Sequence, residues 1–188
     1  MLFSKTALNG CYIVSLEKNG DERGFFSRYF CEEEFEKAGL ESRFRQVNNS
    51  LNSQAGTLRG LHYQLPPHGE VKLVRCTSGS LYDVVLDLRP DSSTFGNSFG
   101  AELSAENRDM MYVPKGCAHG IMTLTDNAEV IYLVSDNYYP AAERGVRFDD
   151  PQFEIEWPRP VVVMSEKDKA WPDYDPQWHG SEVLQGLL

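Results

Sequence analysis

The feature that most constrains this chain is a rhythm of short apolar runs closed off by turn residues. Leu81 to Leu88 follows Ser78-Gly79-Ser80, and Met110 to Val113 precedes Pro114-Lys115-Gly116. Gly120 to Leu124 precedes Thr125-Asp126-Asn127, and Ala128 to Val134 precedes Ser135-Asp136-Asn137. Runs of this length, rich in Val, Ile, Leu and Tyr, fit strands and are too short for core helices. Only Glu32 to Leu40, with Phe35 and Leu40 among acidic residues, and a turn or two near Ser165 to Lys169 read as helical. Many short strands, 15 Gly and 10 Pro, and no alternation with long helices predict an all-β sandwich or barrel of the jelly-roll kind, with a few short peripheral helices.

The 188 residues contain no internal repeat, low-complexity tract or flexible linker, so residues 1–188 are expected to form a single domain. No apolar stretch approaches the roughly 18 residues of a membrane-spanning helix, which argues against a membrane partner. The net charge of −10 makes nucleic acid a poor partner, although a small anion needs only a local cluster of Arg and Lys. The N-terminus, MLFSKTALNGCYIVSL, lacks a secretory apolar segment and reads as mature from residue 1. Cys11, Cys31, Cys76 and Cys117 form no CxxC pair, and the expectation is reduced thiols in a cytoplasm, mostly as small buried apolar groups.

The two-residue period of a strand assigns faces. Lys72, Val74 and Cys76 share one, as do Asp83 and Val85, and as do Val130, Tyr132 and Val134. A polar group left unpaired in a dry core costs about 1–3 kcal/mol, and a charge costs more. Lys72, Asp83 and Tyr132 therefore either meet in a cavity or face solvent.

Thr57-Leu-Arg-Gly-Leu-His-Tyr-Gln64 sets Arg59 and His62 within a stretch otherwise apolar enough to be a strand, and His119 follows in a Gly-bounded turn. Taken alone, His62 reads as a structural histidine or as part of a site. A metal centre of the jelly-roll type needs three or four converging ligands, such as His-x-His with a Glu and a later His. Gly60 and Gln64 occupy the flanking positions instead, so no metal is expected.

The chain resembles the dTDP-4-dehydrorhamnose 3,5-epimerase family, cupin-like jelly rolls that use no metal. The resemblance runs over nearly the whole sequence. It is carried by Asp21-Glu-Arg-Gly-Phe-Phe26, Gln46-Val-Asn-Asn-Ser50, Leu58-Arg-Gly-Leu-His-Tyr-Gln64, Lys72-Leu-Val-Arg75 and Asp83-Val-Val-Leu-Asp-Leu-Arg89. Further matches are Leu103-Ser-Ala-Glu-Asn107, Val113-Pro-x-Gly-x-Ala-His-Gly120, Tyr138-Tyr139-Pro140 with Glu143, Asp149-Asp-Pro151 and Ser165-x-Lys-Asp168.

The resemblance implies a reaction that inverts carbon 3, carbon 5 or both of a nucleotide-linked 4-keto-6-deoxyhexose, by removing and returning a proton without a cofactor. Such chemistry needs a base, a cation for the enolate oxygen and an acid on the opposite face of the sugar. By family match His62 is the base, Asp168 the carboxylate that orients it, Lys72 the cation and Tyr132 the acid. Asp168 also has a purely local reading, as a partner of Ser165 in a helix cap. Arg23, Gln46, Asn48, Arg59, His119, Glu143 and Lys167 match substrate-binding positions, Tyr138 matches the aromatic that stacks on the base, and Asp83 is a supporting partner one step removed. Arg59 and His62, three apart, face opposite sides of a straight strand, so a bulge at Gly60 or a reach into another part of the pocket is required.

Arg28 stands where the family usually carries a Glu that contacts the nucleotide, and this leaves the nucleotide open. The resemblance also implies a homodimer with exchanged N-terminal strands. The alternatives are a single-centre epimerase of a CDP- or GDP-linked sugar, a metal-dependent cupin enzyme, and a carbohydrate-binding jelly roll without chemistry.

Overall fold

A computed structural model describes residues 1–187. In chain order the first strands are β1 (Leu2–Lys5), β2 (Tyr12–Ser15), β3 (Asn19–Asp21) and β4 (Gly24–Phe26), followed by helix α1 (Glu32–Lys37). The central strands are β5 (Gln46–Asn52), β6 (Thr57–Gln64), β7 (Lys72–Ser78), β8 (Ser80–Asp87) and β9 (Ser98–Ser104). Strands β10 (Met110–Val113), β11 (Cys117–Thr123), β12 (Ala128–Val134), β13 (Glu143–Gly145) and β14 (Val163–Met164) complete the set, with a short helix α2 (Glu166–Lys169) and a 3-10 turn at Ser181–Leu184.

The strands form a jelly roll of two facing sheets. One runs β1-β2-β10-β7-β12-β5, and the other β13-β6-β11-β8-β9, with β14 lying parallel to β6. The alternation of apolar residues dictates which faces meet. Val74, Cys76, Met111, Val113 and Val130 from the first sheet pack against Leu81, Val85, Leu103, Cys117 and Ile121 from the second. The outer face of the first sheet, with Val14, Leu73, Met110 and Tyr112, is covered by Phe35 of α1. That of the second, with Leu61, Tyr63, Val84 and Leu86, lies beneath Phe153, Leu184 and neighbouring C-terminal side chains.

Register settles the face question raised by the sequence. Val130 lies opposite Cys76, Tyr132 opposite Val74 and Val134 opposite Lys72, so the two polar-bearing faces are one surface turned toward the second sheet. Asp83 lies opposite Ile121, and Val85 opposite His119, on the inward face of that sheet.

A buried ionic corner closes one end of the sandwich. Arg89 donates from Nε and Nη2 to the two oxygens of Asp87, each at 2.8 Å, and Ser92 and Thr94 donate to Oδ2 at 2.6 Å. Burial pushes the Asp87 carboxyl up, but these hydrogen bonds outweigh it and hold its pKa below the ordinary value. Removing one member of such a pair strands the other in the core. Arg89→Met is expected to lower unfolding free energy by about 3–5 kcal/mol in a denaturant titration. In the wild type, the contribution of Asp87 is complete above the unfolded carboxyl value of about 3.9 and is lost as pH falls through the lower folded value.

The pair β3–β4 stands off both sheets as a separate hairpin and carries Phe25 and Phe26 exposed. Strand β1 pairs with β2 of its own chain. All four cysteines are free. Among the described residues no helix is long and apolar enough to cross a membrane.

Candidate active site

The two sheets leave a cavity of about 510 Å³ at the end where β6, β7, β11 and β12 meet the C-terminal segment. His62, Lys72, Tyr132, Asp168, Arg59, His119 and Lys167 all line it. Local structure explains how residues so far apart in sequence reach one place. Strand alternation turns Lys72 and Tyr132 inward, and antiparallel pairing sets His119 directly across from His62. Between His119 and Ile121 the β6–β11 register shifts, and Gly60, at a φ of 109°, takes up the irregularity. A Cβ there would sit 2.6 Å from the His119 carbonyl oxygen, so only glycine fits. This bulge brings Arg59 and His62 to the same cavity despite their odd spacing.

Asp168 arrives on α2. Ser165 caps that helix by accepting from the Asp168 backbone N–H at 3.1 Å, which leaves the carboxylate free to face β6. One oxygen of Asp168 lies 2.6 Å from His62 Nε2 and the other accepts from the Gly60 N–H at 3.3 Å. The cap and the His62 contact thus coexist, made by different atoms of one residue. Burial works to raise the Asp168 carboxyl, and the His62 contact, with Gly60 and Ser165, overcomes it and holds the pKa below the ordinary value. An ionised carboxylate only accepts, so Nε2 of His62 donates to it and Nδ1 of the neutral ring keeps the lone pair.

Lys72 donates to the His62 carbonyl at 3.2 Å and pairs with Glu70 Oε1 at 3.2 Å. His119 Nε2 lies 2.9 Å from Oδ2 of the fully buried Asp83, which fixes the ring that shares the cavity wall with His62. Arg59 donates to Asn52 Oδ1 at 2.5 Å. Tyr132 has its phenol pKa raised, by burial first and by the negative charge of Glu70 second, so the group is a proton donor near neutrality. Among the described residues no three His, Cys, Asp or Glu side chains converge as metal ligands.

Other matched positions sit at the rim or away from the cavity. Tyr138, 54% exposed, donates to Glu143 Oε2 at 2.8 Å, and Lys167 reaches both Glu143 oxygens at 2.6 Å. Glu143 is drawn up by burial, and these two hydrogen bonds reverse the effect and lower its pKa. Gln46 and Asn48 lie opposite Val134 and Tyr132 in the β5–β12 ladder, next to the cavity rather than lining it. Arg23 is on the exposed hairpin paired with Asp21, and Arg28 lies 3.6 Å from Glu34; neither lines the cavity.

Two neighbours of the site escaped the reading of the sequence. Glu70 carried a usable signal, because its spacing of two from Lys72 puts both on one face of an extended segment. Trp171 carried none: it follows α2 in a loop, yet its ring meets His62 edge-on at 6.1 Å and leaves no room for a Cβ on Gly145, which would come within 2.2 Å.

Fold and geometry define a class: a cupin-like jelly-roll enzyme whose cavity gathers an oriented imidazole, an ammonium and a phenol suited to moving protons. Comparison with known proteins identifies the family. The model of dTDP-4-dehydrorhamnose 3,5-epimerase matches residues 5–175. A dTDP-4-dehydrorhamnose 3,5-epimerase of Sinorhizobium fredii is 43% identical over 173 residues, spanning 92% of this chain and 89% of that protein. The crystal structure of the enzyme of that name from Elizabethkingia anophelis superposes with a TM-score of 0.90 at 42% identity, over 93% of this chain and 96% of the other. A Legionella pneumophila dTDP-6-deoxy-D-glucose-3,5-epimerase, solved in complex with dTDP-4-keto-L-rhamnose, gives a TM-score of 0.84 at 40% identity, over 90% of each chain. The chain belongs to the dTDP-4-dehydrorhamnose 3,5-epimerase family.

Proposed function

We propose that this chain epimerises carbon 3 and carbon 5 of a nucleotide-linked 4-keto-6-deoxyhexose, converting dTDP-4-dehydro-6-deoxyglucose to dTDP-4-dehydrorhamnose in deoxysugar biosynthesis, with residues 1–188 acting as one jelly-roll epimerase domain. The observation that carries this reading is the His62–Asp168 contact of 2.6 Å opening on the same cavity as Lys72 and Tyr132.

A carbon next to a ketone gives up a proton at neutral pH only when the enolate that forms is stabilised. His62 takes that proton, and the C–H electron pair moves into the ring as the ketone becomes an enolate. Asp168 holds the imidazole in place and offsets its new positive charge. Lys72 meets the negative charge on the enolate oxygen. Tyr132 then delivers a proton to the other face of the same carbon, which inverts it. For the second centre the same groups act again, after exchange with solvent returns a proton to the phenol and removes one from His62.

The remaining matched residues serve the nucleotide end. Arg59, His119 and Lys167 supply the cations or donors a diphosphate needs, with Gln46, Asn48 and Glu143 around it. Tyr138, exposed at the rim, has a free face for stacking on the base. Arg23 has no place in the cavity of its own chain, and the hairpin that bears it projects Phe26 at 68% exposure. Both features support a homodimer with exchanged N-terminal strands. Analytical ultracentrifugation is expected to give the mass of a dimer; a monomer at working concentration would remove this part. Four free cysteines fit a reducing compartment, and we place the enzyme in the cytoplasm.

The deciding experiment incubates the protein with dTDP-4-dehydro-6-deoxyglucose in deuterated water. Deuterium at carbon 3 and carbon 5 is the expected outcome. Label at one carbon only would make it a single-centre enzyme, and label at neither would remove the epimerase reading for that substrate. Parallel affinities for dTDP, CDP and GDP test the nucleotide, on which Arg28 bears.

A further inference from the structure

An acidic side chain lies beside the cation that the mechanism needs for a developing negative charge. Glu70 Oε1 is 3.2 Å from Lys72 Nζ, and the two side chains are only 11% and 10% exposed. At first sight this works against the chemistry, because a carboxylate subtracts from the field the enolate oxygen would feel.

Counting donors gives another answer. An ammonium has three N–H groups. One goes to the His62 carbonyl at 3.2 Å, and the Glu70 carboxylate holds the ammonium from beside it as an ion pair at 3.2 Å, so the N–H groups left over are confined to the cavity side. Glu70 is itself held, since its Oε2 accepts from Gln64 Nε2 at 3.0 Å. Gln64, almost wholly buried, is fixed in turn by accepting the Tyr139 backbone N–H at 2.6 Å. A lysine stem left to itself spreads over many rotamers, and an oxyanion donor acts best when its direction is set beforehand.

We infer that Glu70 is a positioning residue of the reaction: through the chain Tyr139, Gln64, Glu70 it anchors the Lys72 ammonium by an ion pair, so that its uncommitted N–H groups face the ketone oxygen. The inference rests on the epimerase reading of the cavity. Glu70 also bears on the acid of the reaction. The charged or titratable groups that share the cavity with Tyr132 are Arg59 and His62 from β6, Lys72 from β7, His119 from β11, and Lys167 and Asp168 from α2, with Glu70 acting on it from the segment leading into β7. After burial, the carboxylate of Glu70 is the next influence raising the Tyr132 pKa, and Arg59 opposes it.

Two variants separate direction from charge. Glu70→Asp keeps the charge but is too short to hold both Lys72 and Gln64, so kcat is expected to fall roughly 10- to 100-fold with KM little changed and the basic limb of the pH profile unmoved. Glu70→Gln keeps the length and removes the charge. Its kcat falls as well, and the basic limb shifts to lower pH, because a phenol relieved of a neighbouring negative charge ionises earlier. Wild-type kcat in Glu70→Asp, or an unmoved basic limb in Glu70→Gln, would overturn the inference. A second readout needs no turnover: subtracting the ultraviolet titration of Tyr132→Phe isolates the Tyr132 phenol, and adding Glu70→Gln is expected to move its ionisation to lower pH. No movement overturns the inference even if no substrate is turned over. Absence of label in the wild-type incubation, by contrast, removes the epimerase reading and leaves the phenol titration standing as a test of Glu70.

Discussion

His62→Ala is expected to abolish deuterium incorporation at both carbons while the chain stays folded. Loss of a general base costs about 10²–10⁴-fold, and here it also deprives Asp168 of its partner. The cavity gives no substitute in the same place. His119, directly across the ladder, has its Nε2 committed to the buried Asp83 at 2.9 Å. The fold should survive, because the His62 ring lies on the cavity wall with about a third of its surface open, not in the packed clusters of the sandwich. Circular dichroism and a denaturant midpoint close to wild type, together with exchange undetectable by mass spectrometry, are the expected pair of results. Exchange at the wild-type rate in a folded His62→Ala protein would refute the base assignment.

Tyr132→Phe separates two events that His62→Ala removes together. The base remains, so a carbon proton can still be taken and replaced by deuterium from the same face. What disappears is delivery from the opposite face, and net inversion is expected to fall by about 10²–10⁴-fold, with wash-in falling much less. Following label by mass spectrometry and configuration by NMR in one reaction mixture gives both rates. If the two fall by the same factor, the phenol and the imidazole do not have separate roles. The variant removes only an oxygen from a ring packed against the main core cluster, so its packing contribution is kept.

Much of this architecture can be read from the chain by parity alone. Met110 to Val113 and Ala128 to Val134 form strands with those limits, and the faces that Lys72 and Tyr132 share with their apolar neighbours coincide through the β7–β12 register, which decides for the cavity over solvent. Parity works here because one face of each strand is packed against the opposite sheet, so a slip of one residue would expose the core. It fails where the backbone breaks the alternation. Arg59 and His62 required either an irregularity at Gly60 or a reach into another part of the pocket, and the register shift realises the first. Ser165 and Asp168 illustrate a different limit: spacing cannot say that the backbone N–H of Asp168 serves the cap while its carboxylate serves His62. Trp171 was illegible because a loop aromatic has no period to read. The station of Arg23 was illegible for a further reason, since a hairpin outside both sheets takes its surroundings from whatever docks on it.

The His62–Asp168 contact joins residues 106 positions apart, and the carboxylate comes from a short segment that docks after both sheets are complete in sequence. A nascent chain stopped just past β13 contains nearly every strand of the sandwich and still lacks the group that steadies the imidazole. On the proposed mechanism, a chain that ends before α2 is expected to keep the strand residues of the cavity and lose turnover.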